Sequence, residues 1–444
     1  MARLFGTDGI RGKANVVLTP ELAFKIGRAA ASRLGEKGGA FLIGRDPRLS
    51  GAMLEGALAS GIASVGMDVF LTGIVTTPGL AWLTKETGAA AGAMISASHN
   101  PMEDNGIKFF NSQGFKLEDA EELAIEELYF QDTDDLPRPT GENVGRIIRR
   151  EELVQAYCDY LLSTVDVSLT GLKIVVDCAN GSAAGIAPKV FAAAGAQVEA
   201  IHSVPDGINI NRGCGSTHPE ALAAAVKAKG ADAGLALDGD ADRLIAVDAR
   251  GEIVDGDKIM LICARSLKQQ GRLAKDTLVI TVMSNLGLRL AAKDLGIKTV
   301  AAKVGDRYVL EEMLRGGYIL GGEQSGHIIF RQFATTGDGL LSALQLLQIM
   351  VQEGKSLEEL AEVMEYLPQV LINVPVASKE GWQENEFIAA KIAWAEAELQ
   401  GQGRVLVRPS GTEPLIRVML EGPRESQLQE LARAIADVIK AQLG

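Results

Sequence analysis

The 444-residue sequence is poor in aromatics (5%), with four histidines and four cysteines, and no apolar run approaches the length needed to cross a bilayer. Its cysteines (Cys158, Cys178, Cys214, Cys263) lie far apart with no CxxC pair. That spacing argues against a zinc knuckle and fits free, mostly buried thiols in a reducing cytoplasm. The opening MARLFGTDGIRG has no charged-then-apolar signal pattern. Excess positive charge is also missing: the formal charge is −13 and the pI about 5.0. A nucleic acid or an anionic membrane surface would need a basic face, so neither is an expected partner. An anionic small ligand would have to be held by a few local cations and backbone N–H groups.

What is abundant is apolar residues (47%) and glycine (50 of them), a mix that suits α/β layers with many tight turns. The length predicts two to four domains. An internal repeat then organises the chain. FLIGRD (41–46), KIVVDCANG (173–181) and TLVITVMSN (277–285) are apolar strands running into polar turns. Each precedes an Ala/Leu-rich helical stretch closed by a glycine, at Gly66, Gly195 and Gly296, where a left-handed C′ residue is expected. Second strands are expected from Val69, Val198 and Thr299. Third strands then lead into AAAGAMISASHNP, ADAGLALDGDADR and GGYILGGEQSGH. Strand–helix–strand units with short crossovers predict largely parallel, helix-covered sheets, with ligands beyond the carboxyl ends of strands. The fold class expected is therefore α/β: three similar domains with mixed or parallel sheets, plus a smaller C-terminal α+β domain. The last is read from QVLINVPVAS, a helix over 383–400, RVLVRPSGTEPLIRVMLEG and an amphipathic helix over 426–442. Expected domains are 1–155, 156–254, 255–366 and 367–444, with 131–143 a surface loop.

In Asp238-Gly-Asp240-Ala-Asp242-Arg243, carboxylates at alternate positions of an extended loop can converge on one point. At about 4 Å and a near-surface effective dielectric, each like-charged pair costs on the order of 4 kcal/mol. A cation must sit among them, and hard carboxylate oxygens select Mg²⁺, Mn²⁺ or Ca²⁺. An EF-hand would need Gly and Glu where Arg243 and Ala249 stand.

Ser96-Ala97-Ser98-His99-Asn100-Pro101 follows an apolar strand, and Asn105-Gly106-Ile107-Lys108 continues it. A serine hydrolase elbow would flank Ser98 with glycines, and these are absent. Taken locally, the stretch reads equally as a helix N-cap or turn. The metal loop shifts the balance, because a phosphoserine carrying about −1.5 to −2 charges would give the cation a further oxygen ligand. Glu323, Ser325 and His327 on the turn Gly322–His327 suit directional bonds to sugar hydroxyls. Arg408, Ser410, Gly411 and Thr412 in RPSGTEP suit an anion cradle, although Pro-Ser-Gly is also ordinary turn chemistry. Further cations near polar loops are Arg11, Arg45, Lys108, Arg243, Lys303 and Arg307.

FGTDGIRG, ISASHNP, LDGDADR, GGEQSGH and RPSGTEPLIRVM, in this order and spacing, resemble the α-D-phosphohexomutase superfamily over essentially the whole chain, and most nearly its bacterial branch acting on glucosamine phosphate. The resemblance implies four domains around a central cleft. It implies Ser98 as phosphoserine, with Asp238, Asp240 and Asp242 beside its phosphate as ligands of one Mg²⁺. It assigns Glu323 and Ser325 to the sugar, and Arg408, Ser410, Gly411 and Thr412 to the non-reacting phosphate. Lys108, Arg243 and His327 fall to phosphoryl or proton transfer, with Lys108 and His327 both candidate bases. The reaction implied interconverts glucosamine 6-phosphate and glucosamine 1-phosphate through a 1,6-bisphosphate, supplying UDP-N-acetylglucosamine and cell-wall synthesis. Mannose or glucose phosphate as substrate is the alternative, and a non-catalytic phosphosugar-binding protein a more distant one. A homodimer is left open.

Overall fold

The computed structural model describes residues 3–6, 8–35, 39–131, 133–410 and 414–444. These fall into two compact units, 1–282 with 297–363 and 283–296 with 364–444.

The first unit holds three sheets of one design. In the first, Ala40–Arg45 runs parallel to both Asp68–Ile74 and Ala91–Ile95, and Ala91–Ile95 pairs antiparallel with Asp104–Asn111. In the second, Lys173–Asp177 lies parallel to Gln197–Ile201 and Ala233–Leu237, and the latter turns back into antiparallel Leu244–Asp248. In the third, Thr277–Thr281 lies parallel to Lys298–Ala302 and Leu320–Gly322, and Leu320–Gly322 pairs antiparallel with Ile328–Phe330. The repeat read from the sequence is thus a repeat of topology. Gly195 and Gly296 stand at C′ with positive φ, as expected, whereas Gly66, also at positive φ, lies one residue further from its helix, whose C-cap is Ser64.

One feature differs from the expectation of largely parallel sheets. Each polar loop joins a parallel strand to an antiparallel return strand, so it is a hairpin connection and not the start of a crossover helix. Such a loop is anchored by a ladder on both sides, which makes it a firmer support for its side chains than a loop held at one end. The supporting strands are apolar on both faces. Every residue of Ala91–Ile95 and of Ala233–Leu237 is buried, as suits a strand covered by helices on each side.

The second unit contains an antiparallel sheet in the order Gln369–Pro375, Leu415–Glu421, Arg404–Pro409. Its core joins Val374, Ile416, Val418 and Leu420 to Leu428, Leu431, Ile435 and Ile439 of the amphipathic helix Glu425–Leu443. The polar helix expected over 383–400 spans Glu386–Glu398 and is capped by Asn385. Among the described residues no helix is long and apolar enough to cross a membrane. All four cysteines are free thiols, three of them buried.

Candidate active site

Ser98 stands at the end of Ala91–Ile95 with φ +52, the left-handed region that costs a non-glycine residue about 1–2 kcal/mol. Such strain persists only where the surroundings over-determine it, and here they do. Ser98 N donates to Ser96 Oγ (2.9 Å), and Ser96 Oγ donates to Asp46 Oδ2 (2.6 Å). Asp46 pairs with Arg48 (2.9 Å), both side chains being fully buried. Arg48 Nη2 donates to Ser98 O (3.0 Å) and Asn100 O (2.8 Å). From the second sheet domain, Asn211 Nδ2 donates to the same two carbonyls at 2.8 and 3.1 Å. Removing one partner of a buried ion pair typically costs about 3–5 kcal/mol. Arg48→Leu is therefore expected to lose about that much stability, read as a lowered denaturant midpoint. A change below about 1 kcal/mol would show that the pair does not hold the loop.

The result of this bracing is that Ser98 Oγ donates to Asp238 Oδ2 at 2.6 Å. Gly239 makes the approach possible, because a Cβ there would lie 2.5 Å from Ser98 O. Asp238, Asp240 and Asp242 are all buried, each offering an oxygen within 4.8 Å of the others. Burial first, and then repulsion from Asp242 and Asp240, pushes the Asp238 carboxyl well above the ordinary carboxylate range. Burial also raises Asp240, but Lys108 above all, with the Thr77 hydroxyl, outweighs it and holds that carboxyl below the ordinary range. Asp240 Oδ2 accepts from Thr77 Oγ1 (2.6 Å) and Lys108 Nζ (3.0 Å), whereas its Oδ1 accepts nothing. Asp242 Oδ1 likewise accepts no hydrogen bond. Two orphaned, buried carboxylate oxygens beside Asp238 form a hard donor set with a place for a divalent cation.

Around the triad lies an array of charges, only part of which was legible in the sequence. Lys108 Nζ is 3.2 Å from Asp8 Oδ2 as well as 3.0 Å from Asp240. Asp8 also pairs with Arg11 and takes a bond from Lys116 Nζ (2.6 Å), and Lys116 pairs in turn with Asp306. His327 Nε2 sits 3.5 Å from Asp306 Oδ2 and 3.8 Å from Asp242 Oδ2, and neither ring nitrogen makes a hydrogen bond. Arg243 donates its backbone N–H to Asp238 Oδ1 (3.3 Å), with Nε 3.9 Å from Asp242 Oδ1. Asp8, Lys116, Asp306, Thr77, Arg48 and Asn211 carry no periodicity or motif signal of their own. Asp8 alone lies inside a stretch that the sequence singles out. Arg45 and Arg307, flagged as cations, are engaged in ion pairs with Glu55 and with Asp119 and Glu122.

The turn carrying Glu323 and Ser325 adjoins the three-aspartate loop, since Leu244 N, just past Arg243, donates to Gly326 O (3.0 Å). Glu323 Oε1 accepts from Gly305 N at 2.9 Å, and Ser325 is exposed. In the second unit, Arg408 faces Arg417 across the strand pair, and Lys379 Nζ donates to Ser410 O at 2.8 Å. Burial first, and then the neighbouring Arg417 guanidinium, lowers the Arg408 pKa. Gly411 and Thr412 lie outside the described residues. Asp177, His202 and Cys214 form another close group. There the Asp177 oxygens already accept from Ala179 N, Gly215 N (2.9 Å each) and His202 Nδ1 (3.0 Å). The Cys214 thiol, pushed up to about 12 by burial and then by Asp177, is neutral. The group builds a turn.

Four family models match the chain: phosphoglucomutase/phosphomannomutase α/β/α domains I (residues 2–135), II (155–251) and III (255–367), and the C-terminal domain (371–438). Proteins named phosphoglucosamine mutase are similar over 100% of both chains, at 57% identity in Symbiobacterium thermophilum and 56% in Halalkalibacterium halodurans. A crystal structure of a phosphoglucomutase/phosphomannomutase family protein from Burkholderia thailandensis is 25% identical with a TM-score of 0.82, over 99% of this chain and 97% of that one. The Aspergillus fumigatus N-acetylphosphoglucosamine mutase, solved with GlcNAc-6P and magnesium, shares the fold at 18% identity and a TM-score of 0.69, over 99% and 96%.

Proposed function

The chain belongs to the phosphoglucomutase/phosphomannomutase family, and from that premise we propose that it interconverts glucosamine 6-phosphate and glucosamine 1-phosphate through a phosphorylated Ser98. The observation that carries this reading is the 2.6 Å contact between Ser98 Oγ and a buried carboxylate of the three-aspartate loop. A lone serine hydroxyl does not need three buried carboxylates, whereas a phosphate held there with a cation does.

Phospho-Ser98 gives its phosphoryl group to the free 1- or 6-hydroxyl of the bound monophosphate. The P–Oγ bond breaks, a P–O bond to the sugar forms, and the hydroxyl proton is passed on so that Ser98 Oγ ends protonated. The 1,6-bisphosphate then turns over, and its other phosphate returns to Ser98 by the reverse steps. Asp238, Asp240 and Asp242 would hold Mg²⁺, which when bound supplies positive charge against the equatorial oxygens of the transferring group. Lys108, in contact with Asp240, supports it as a cation. Burial lowers the ammonium pKa, but Asp240 and Asp8 outweigh burial and keep it charged. Of the two candidates for the acceptor's proton, His327 is the one whose ring nitrogens are free of hydrogen bonds. Glu323 and Ser325 orient the sugar. Arg408 and Ser410, with Gly411 and Thr412, hold the phosphate that does not react. A cytoplasmic setting fits the free thiols.

Rates on glucosamine 1-phosphate, mannose 1-phosphate and glucose 1-phosphate test the substrate assignment. The amino sugar is expected to have the highest kcat/KM by at least about tenfold, or 1.4 kcal/mol of transition-state binding. A preference for either neutral sugar would assign the chain to the mannose or glucose branch instead.

A further inference from the structure

Thr77 opens the helix Thr77–Glu86 in the first sheet domain, yet its hydroxyl plays no part in capping that helix. The N-cap is Thr76, whose side chain accepts from Gly79 N, and the next residue, Pro78, needs no acceptor. The fully buried Thr77 reaches across to the second sheet domain instead. Its N–H donates to Asp240 O (3.0 Å) and its Oγ1–H to Asp240 Oδ2 (2.6 Å). Together with Lys108 Nζ on the same Oδ2 at 3.0 Å, this occupies one oxygen of the carboxylate and leaves Oδ1 bare.

We propose that Thr77 is a positioning residue for the cation. By pinning Asp240 Oδ2 it fixes Asp240 as a one-oxygen ligand through Oδ1, and metal affinity depends on its hydroxyl. This rests on the reading that the three aspartates carry a divalent cation. The physical basis is orientation: without the hydroxyl, only Lys108 Nζ holds Oδ2, the carboxylate gains rotational freedom, and that freedom must be surrendered whenever the ion binds. Groups that orient a metal ligand in this way are typically worth about 10–100-fold in affinity. Because hydroxyl and carboxylate sit on different domains, the same bond couples ion binding to the docking of those domains.

The test uses the full chain and Mn²⁺ as probe, with free Mn²⁺ followed by electron paramagnetic resonance and the Mg²⁺ requirement for turnover measured alongside. Thr77→Val, which keeps the shape and removes the O–H, is expected to raise the Mn²⁺ Kd by about 10–100-fold. The Mg²⁺ needed for half-maximal rate should rise in parallel, much of the lost activity returning at high Mg²⁺. Thr77→Ser should bind close to wild type. Wild-type affinity in Thr77→Val, or equal weakness in Thr77→Ser, overturns the assignment. Asp240→Asn separates the two readings: if it binds Mn²⁺ as tightly as wild type, the aspartate loop is not the cation site and both fall together. If Thr77→Val does not fold, as judged by circular dichroism, Thr77→Cys takes its place, since a thiol is a weak donor. An affinity matching Thr77→Ser would then count against the hydroxyl.

Discussion

Ser98→Ala is expected to lower turnover by roughly 10⁴-fold or more, the scale on which removal of a covalent nucleophile acts. The size follows from the chemistry, because without Oγ there is no acceptor for the phosphoryl group between half-reactions and the two ends of the sugar cannot exchange phosphate. The fold should survive. Ser98 N, Ser98 O and the Arg48 and Asn211 bonds belong to the backbone of this loop, and the side chain contributes only the bonds to Asp238 and His99. Intact mass after treatment with glucose 1,6-bisphosphate provides the matching readout. Wild type should gain one phosphate on the peptide containing Ser98, and the variant none. Turnover within tenfold of wild type, or a phosphate located on another residue, would end the phosphoenzyme scheme.

Lys108→Met should combine a catalytic loss of about 10²–10³-fold in kcat with a fall in stability of about 3–5 kcal/mol. Both effects have one cause. The Lys108 ammonium is 2% exposed, 3.0 Å from Asp240 and 3.2 Å from Asp8. Its loss leaves a buried set of carboxylates short of one positive charge and removes a cation from beside the transferring group. The two parts separate experimentally: added Mg²⁺ should recover some of the stability, by occupying the aspartate loop, without restoring kcat. A variant with kcat within about threefold of wild type would show that Lys108 serves the fold alone.

Ser98, Asp238, Asp240 and Asp242 were legible as polar residues just past apolar strands, and Lys108, Arg243 and His327 through the family resemblance; the structure brings all of them into one locus. Their supports were not. Thr77 and Asp240 are 163 positions apart, and Lys116 and Asp306 190. A threonine beside a proline at a helix start looks like ordinary capping chemistry. Asp46 and Arg48 in GRDPR read as a polar turn, and only their complete burial shows them to be a brace. The hairpin character of the three functional loops also escaped the pattern, because a short buried strand has the same apolar signature whether its neighbour runs parallel or antiparallel.

Composition and motif order alone therefore determined the class of chemistry. Alternating aspartates call for a hard cation, a strand-end serine offers an acceptor, and a threefold strand–helix–strand pattern supplies equivalent loops to carry them. Tertiary structure decided what a list of residues cannot distinguish. The two oxygens of Asp240 are identical in sequence, and they differ in the fold only because Thr77 and Lys108 occupy one and leave the other bare. Lys108 and His327 are equal candidates for the proton on paper. In the fold Lys108 is packed against the carboxylates of Asp8 and Asp240, while His327 is left with both ring nitrogens unengaged.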